Sequence, residues 1–115
     1  MKKLFISVSM NGRSDKDIQS DIDKMKMIAE SEFNEKFEVL DTFKAPDVTT
    51  GNIRVDCLGR SIRLLSQADY YIGFKNPSAK GCIIENNIVT TYDWIPSLFI
   101  DNDIDGSIRI FKNCD

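Results

Sequence analysis

The feature of this 115-residue sequence that most constrains its fold is a regular alternation of short apolar runs with helical segments. Short runs rich in β-branched and aromatic residues are typical of buried strands, whereas apolar residues at helical spacing are typical of helices. Strands are predicted at Lys3–Val8, Lys36–Asp41, Asp69–Phe74, Ser97–Ile100 and Ser107–Phe111. Helices are predicted at Ser14–Phe33, Asp56–Ala68 and Pro77–Tyr92.

This β-α-β-α-β-α-β order, followed by the last strand, predicts an α/β fold of the flavodoxin-like or Rossmann-like type, a three-layer sandwich. Alternation of strands and helices implies a parallel sheet, here of four to five strands, with helices on both faces. We expect one domain spanning residues 1–115. Ligands bind such sheets beyond the carboxyl ends of the strands, where the strand order switches. A flavodoxin-like order would make the loops Ser7–Gly12 and Phe74–Ser78 face each other there.

Composition excludes several classes of function. The formal net charge of −3 argues against a nucleic-acid polymer as partner, and no apolar run reaches the length of a membrane span. Cys57, Cys82 and Cys114 have no motif spacing, which favours reduced thiols in a cytoplasmic protein. The absence of histidine removes Ser-His and Cys-His nucleophile pairs and most zinc sites. The sequence also has no Walker loop, no dinucleotide glycine fingerprint and no metal-ligand cluster, so we expect no metal and no cofactor.

Turn and cap signals divide the remaining segments. Ser14 is predicted to cap the first helix and Asp56 the second. Thr42–Arg54 has no apolar periodicity and is predicted to be a loop of the length that often serves as a lid or binding loop. Asp101–Gly106 is predicted to be an acidic turn.

The helix predicted at Pro77–Tyr92 carries one carboxylate in an unexpected place. At about 100° per residue, its apolar residues fall in one arc and its small polar residues in the opposite one. The apolar set is Cys82, Ile84, Ile88, Val89 and Tyr92, and the polar set is Asn86, Asn87, Thr90 and Thr91. Glu85 falls within the apolar arc, where burial would raise its pKa.

Two interpretations of Glu85 remain open. It is a general base or nucleophile in a half-dry pocket, or its position has a purely structural explanation, which is either pairing with a lysine at the edge of the sheet or a helical phase shifted by one residue. Gly81 lies one turn earlier on the same helical face and leaves a gap in which a ligand could sit.

Polar residues in the neighbouring loops are further candidates. Ser7, Ser9 and Asn11 either satisfy loop backbone groups or donate hydrogen bonds to a phosphate or a ribose hydroxyl. Lys80 stands at a helix N-terminus, which favours anions, but a solvated lysine is the alternative there. Tyr71, adjacent to Tyr70 on the third strand, is expected to pack in the core.

Three segments carry a resemblance to a known family. They are Leu4–Gly12 (LFISVSMNG), Leu58–Asp69 (LGRSIRLLSQAD) and Lys80–Glu85 (KGCIIE). Together they resemble the nucleoside 2-deoxyribosyltransferase superfamily, and most closely a small branch found in bacterial and phage genomes. In that branch a Met-Asn-Gly loop follows the first strand, and a Gly-Cys-x-x-Glu helix comes later.

The resemblance implies cleavage of the N-glycosidic bond of a nucleoside or nucleotide. A helix glutamate attacks the sugar C1′ in these enzymes, and this role falls on Glu85. Related enzymes complete their sites with a neighbouring subunit, which implies a homo-oligomer. The substrate would be held by Ser7, Ser9, Met10, Asn11 and Gly12 on one side, and by Asn76, Ser78, Lys80 and Gly81 on the other.

The chain departs from the family at the residues that assist the glutamate. Phe5 stands where the transferases carry a tyrosine, and Ser78–Lys80 stands where they carry an aspartate. A second aspartate is replaced in the region of Lys75 and Asn76. Two alternatives to an enzyme therefore stay open. One is a non-catalytic binder of a nucleotide-derived molecule, for example a phage protein that sequesters an immune signal, and the other is a protein-interaction adaptor.

Overall fold

The computed structural model describes residues 1–10, 12–41, 51–102 and 108–113. The predicted site residue Asn11, most of the predicted loop Thr42–Arg54 and most of the predicted turn Asp101–Gly106 lie outside these ranges. The elements are β1 (Lys2–Ile6), α1 (Asp15–Phe33), β2 (Phe37–Val39), α2 (Ile53–Leu65), β3 (Tyr70–Phe74), α3 (Lys80–Tyr92), β4 (Ser97–Asn102) and β5 (Ile108–Asn113).

The five strands form one sheet in the order β2-β1-β3-β4-β5. β1 to β4 are parallel, which confirms the flavodoxin-like three-layer α/β sandwich. β5 instead pairs antiparallel with β4. Residues 103–107 alone separate these two strands, and a parallel pairing would need a crossover of a dozen residues or more.

Side chains of β1 alternate between two cores, one on each face of the sheet. Leu4 and Ile6 pack with Met25 of α1, whereas Phe5 packs on the face covered by α2 and α3. The ring of Tyr71, on the neighbouring strand, stacks on Phe5 with a centroid distance of 5.9 Å. By the same alternation, Ser7 lies on the same face of the sheet as Phe5. Its side chain is therefore on the face that α3 covers.

Helix boundaries agree with the sequence for α1 and differ for α2. The predicted cap Ser14 is confirmed, since its hydroxyl accepts a hydrogen bond from the Asp17 N–H at 3.2 Å. The prediction that Asp56 caps the second helix is wrong. Asn52 is the cap, because its side-chain oxygen accepts from the N–H groups of Arg54 and Val55 at 3.0 and 3.2 Å.

The predicted apolar arc of α3 is also wrong in its phase. The buried residues are Cys82, Glu85, Asn86 and Val89, whereas Ile84 is exposed and Tyr92 is 74% exposed. A polar residue occupies the inner face because hydrogen bonds satisfy the Asn86 amide there. The burial of Glu85 is nevertheless confirmed, since only 7% of this residue is exposed.

Within the described residues, no helix is both long enough and apolar enough to cross a membrane.

Candidate functional site

A buried hydrogen bond joins the loop after β1 to α3. The Ser7 hydroxyl donates to Glu85 Oε1 at 2.8 Å, and Ser7 is 1% exposed. Ser7 is held in place by its own backbone, because its N–H donates to the carbonyl of Ile72 on β3 at 2.9 Å. The adjacency of β1 and β3, together with the packing of α3 on β3, therefore builds this pair from residues 78 positions apart in the sequence.

Burial raises the pKa of Glu85 to about 7, and the hydrogen bond from Ser7 opposes this rise. Among the described residues, no lysine pairs with Glu85 and no charged group shifts its pKa. The interpretation of Glu85 as the partner of a lysine is therefore wrong. A carboxyl group with this pKa exchanges its proton near neutral pH, which is the property that acid–base chemistry requires.

Tyr71 and Asn86 extend this polar cluster into the core. The Tyr71 hydroxyl donates to Asn86 Oδ1, and Asn86 Nδ2 donates to the carbonyl of Phe74 at 2.6 Å. The cluster is possible because Gly73 has no side chain. A Cβ atom there would lie 2.8 Å from the Tyr71 hydroxyl oxygen and 2.9 Å from Asn86 Oδ1.

The expected packing of Tyr71 in the core is confirmed, but sequence reasoning missed its hydrogen bond and missed the burial of Asn86. The available signal was Gly73, because a glycine inside a strand often marks the close approach of other atoms. A second signal was the spacing of Cys82, Asn86 and Val89, which share one face of a helix at i, i+4 and i+7.

The hydroxyl of Tyr71 and the thiol of Cys82 stay protonated near neutral pH. Burial raises the pKa of both groups, the nearby Glu85 carboxylate raises them further, and the Ser7 hydroxyl lowers them. Cys82 is therefore poorly suited to act as a thiolate nucleophile, although it lines the adjacent cleft.

A cleft of about 400 Å³ opens between the carboxyl ends of β1, β3 and β4 and the N-terminus of α3. This volume is within the range that holds small-molecule ligands. Its lining residues are Ser9, Arg13, Asp21, Phe74, Asn76, Pro77, Ser78, Ala79, Cys82, Ile100 and Asp101. The two loops that were expected to face each other therefore line one cleft.

The cleft includes some of the predicted site residues. Ser9, Asn76 and Ser78 line it, whereas Ser7 and Glu85 form the buried pair and are not part of its lining. Cys82, almost one turn before Glu85 on the buried face of α3, does line the cleft.

The other predicted residues lie around the cleft without lining it. Met10 packs against the core on the α1 side, Gly12 is exposed in a turn with φ of +74°, and Lys80 is exposed in the first turn of α3. A Cβ atom at Gly81 would have no neighbour within 4 Å, so the gap expected there is open.

Three charged residues of the cleft were not predicted. Arg13 Nη2 pairs with Asp21 Oδ2 at 2.8 Å, and Arg13 Nη1 donates to the carbonyl of Ser9 at 3.0 Å. Asp101, at the end of β4, adds a second carboxylate.

No side chain caps α3, so the N–H groups of its first turn remain available to acceptors at the cleft. Across residues 1–10, 12–41, 51–102 and 108–113, no group of three or more acidic or cysteine side chains could hold a metal ion.

Comparison with protein-family models gives no match, and a search of curated proteins gives no significant match. The likeness to nucleoside 2-deoxyribosyltransferases therefore rests on the motif residues named above.

Proposed function

We propose that this protein binds a nucleoside or nucleotide in the cleft and cleaves its N-glycosidic bond through Glu85. The observation that carries the proposal is the Ser7–Glu85 pair, a buried carboxyl group with a raised pKa beside a cleft at the carboxyl edge of the sheet. Open α/β sheets bind their ligands at this edge, where the strand order switches. The motif resemblance, which assigns the nucleophile to the same residue, is independent support.

In the proposed reaction, the ionised Glu85 attacks C1′ of the sugar. A bond forms between a carboxylate oxygen and C1′, the C1′–N bond breaks, and the departing base takes its electron pair and then a proton from solvent. Water or a second base then displaces Glu85 from the glycosyl ester. Ser7 occupies Oε1, so Oε2 is the oxygen that would attack.

The cleft residues divide into those that would hold the sugar and those that would select the ligand. Ser9, Asn76 and Ser78 offer hydroxyl and amide groups to the sugar or phosphate. Arg13 is already paired with Asp21, and Asp101 adds negative charge. The charges of the cleft lining therefore favour a neutral nucleoside over a nucleotide. The free N–H groups at the start of α3 favour an acceptor oxygen of either ligand.

A specific observation also favours the non-catalytic binder as a second candidate. Glu85 does not line the cleft, and Phe5 offers no hydroxyl at the position where the family carries its tyrosine. The same fold would then hold a nucleotide-derived molecule without breaking it.

The test is release of free base from a panel of deoxynucleosides and their 5′-monophosphates, measured by chromatography. We expect the rate to rise with pH through about 7, because the attacking form is the ionised Glu85. Glu85→Gln should lower the rate by at least about 100-fold. Glu38→Gln on the exposed side of β2 is the matched control and should leave it unchanged.

The outcomes separate the candidates. Base release that survives Glu85→Gln would exclude Glu85 as the nucleophile. Tight binding of an unchanged nucleotide by the wild type, with no base released, would support the binder. No thermal stabilisation by any member of the panel would favour the adaptor. The homo-oligomer stays a prediction.

A further inference from the structure

The space above Gly73 places the Tyr71 hydroxyl beside Ser7. Ile6 and Ile72 are paired in the sheet, so Ser7 and Gly73 follow as neighbours on adjacent strands. Side chains alternate along a strand, so Ser7 lies on the face of Phe5 and Tyr71. The Tyr71 hydroxyl fills the space that a side chain at Gly73 would take, which is the strand position next to Ser7, and its own proton goes to Asn86.

The direction of each hydrogen bond in this cluster is fixed by the carbonyl of Phe74. That carbonyl can only accept, so Asn86 presents its NH₂ group to Phe74 and its oxygen to Tyr71. The amide oxygen can likewise only accept, so the Tyr71 proton is committed to Asn86. Towards Ser7, the tyrosine oxygen therefore offers lone pairs alone.

Ser7 has one hydroxyl proton, which an oxygen of Glu85 or of Tyr71 could accept, whereas the sulfur of Cys82 is a weaker acceptor. When Glu85 is ionised, the proton goes to Oε1. When Glu85 is protonated, its own O–H can donate to Ser7, and the Ser7 proton is then free to turn to Tyr71. We propose that Tyr71 and Asn86 are positioning residues that stabilise the protonated form of Glu85 by giving the Ser7 hydroxyl this second acceptor.

No charged side chain of the described residues competes with this mechanism. The groups that interact with Glu85 are Ser7 after β1, Tyr71 of β3 and Cys82 of α3, and all are neutral near pH 7. The charged residues of the cleft, Arg13, Asp21 and Asp101, are not among the causes of the Glu85 pKa shift.

The test is the titration of Glu85 in the free protein, followed by NMR of its ¹³C-labelled carboxyl carbon. Tyr71→Phe keeps the ring that stacks on Phe5 and removes the acceptor. We expect the proton affinity of Glu85 to fall by about threefold to tenfold, which is the change in an equilibrium constant that corresponds to the loss of one hydrogen bond. In a Ser7→Ala background, the same Tyr71→Phe change should have no such effect, because no serine proton remains to be shared.

Asn86→Leu is the second variant, in case Tyr71→Phe does not fold. It frees the Tyr71 proton to turn towards Ser7 and the Glu85 carboxylate, which favours the ionised form and again lowers the proton affinity. An unchanged or raised proton affinity of Glu85 in Tyr71→Phe would overturn the proposal. If the Tyr71 hydroxyl only filled space, its removal would make the surroundings of Glu85 less polar and would raise this proton affinity. No ligand is used, so this result is independent of whether the protein releases a base.

Discussion

At the scale of single residues, the site depends on a glycine, Gly73, which has no side chain. Gly73 leaves room for the Tyr71 hydroxyl and the Asn86 amide, which a methyl group would meet at 2.8 and 2.9 Å. Both groups are held by hydrogen bonds in a buried cluster, so neither can move aside without losing a partner. Gly73 therefore couples the packing of β3 to the polar groups around Glu85.

Substitution of two glycines by alanine should have opposite effects on stability. Gly73→Ala should lower the free energy of unfolding by about 1–3 kcal/mol, because the added methyl group overpacks the cluster. Gly59→Ala is the matched control. Gly59 is exposed inside α2 with no atom within 4 Å of an added Cβ, so alanine there should raise the free energy of unfolding by about 0.5–1 kcal/mol. Urea unfolding measures both, and an equal effect of the two substitutions would contradict the packing argument.

At the scale of elements, the type of each helix and strand could be predicted from the sequence, but some boundaries and one helical face could not. Hydrophobic spacing places α1 correctly, and Ser14 caps it as expected. In α2 both Asn52 and Asp56 are residue types that cap helices, and only the backbone geometry decides between them. In α3 the phase was wrong because Asn86 is buried through contacts with β3, which spacing within the helix does not encode.

The start of α2 gives an element-scale prediction. Asn52→Ala should lower the free energy of unfolding by about 1 kcal/mol, because the N–H groups of Arg54 and Val55 lose their acceptor. Asp56→Ala should change it by less than about 0.5 kcal/mol. Loss of a favourable charge in the first turn is offset there by the better helix propensity of alanine. Thermal and urea unfolding of the two variants measure this, and a larger loss from Asp56→Ala would place the cap at Asp56 after all.

At the scale of the whole molecule, the alternation of strands and helices was enough to predict a parallel sheet with helices on both faces, and a flavodoxin-like strand order was enough to predict the edge at which the cleft lies. It was also enough to bring the loop at Ser7 towards the helix of Glu85. It could not predict the direction of β5, which depends on the short segment after β4. Nor could it find Arg13, Asp21 and Asp101, which come together only once α1 and β4 are placed around the cleft.

The buried carboxyl group should make the stability of the whole fold depend on pH. The pKa of Glu85 rises from 4.5 to about 7 on folding, so between these values the folded protein binds more protons than the unfolded chain. Stability contributed by this group is therefore present below pH 4.5 and is lost as the pH rises to about 7. A shift of this size corresponds to about 3 kcal/mol at pH 8.

Glu85→Gln removes this titration while leaving an oxygen that can accept from Ser7. The variant should exceed the wild type in free energy of unfolding at pH 8, and this advantage should shrink steadily as the pH falls towards 4.5. Glu30, whose pKa is lowered chiefly by the hydrogen bond from the Phe37 N–H, acts in the opposite direction but is present in both proteins, so its effect cancels. Glu38→Gln, an exposed change on β2, should give a curve parallel to the wild type. Urea unfolding at a series of pH values measures all three, and parallel curves for Glu85→Gln and the wild type would mean that folding does not shift the proton affinity of Glu85.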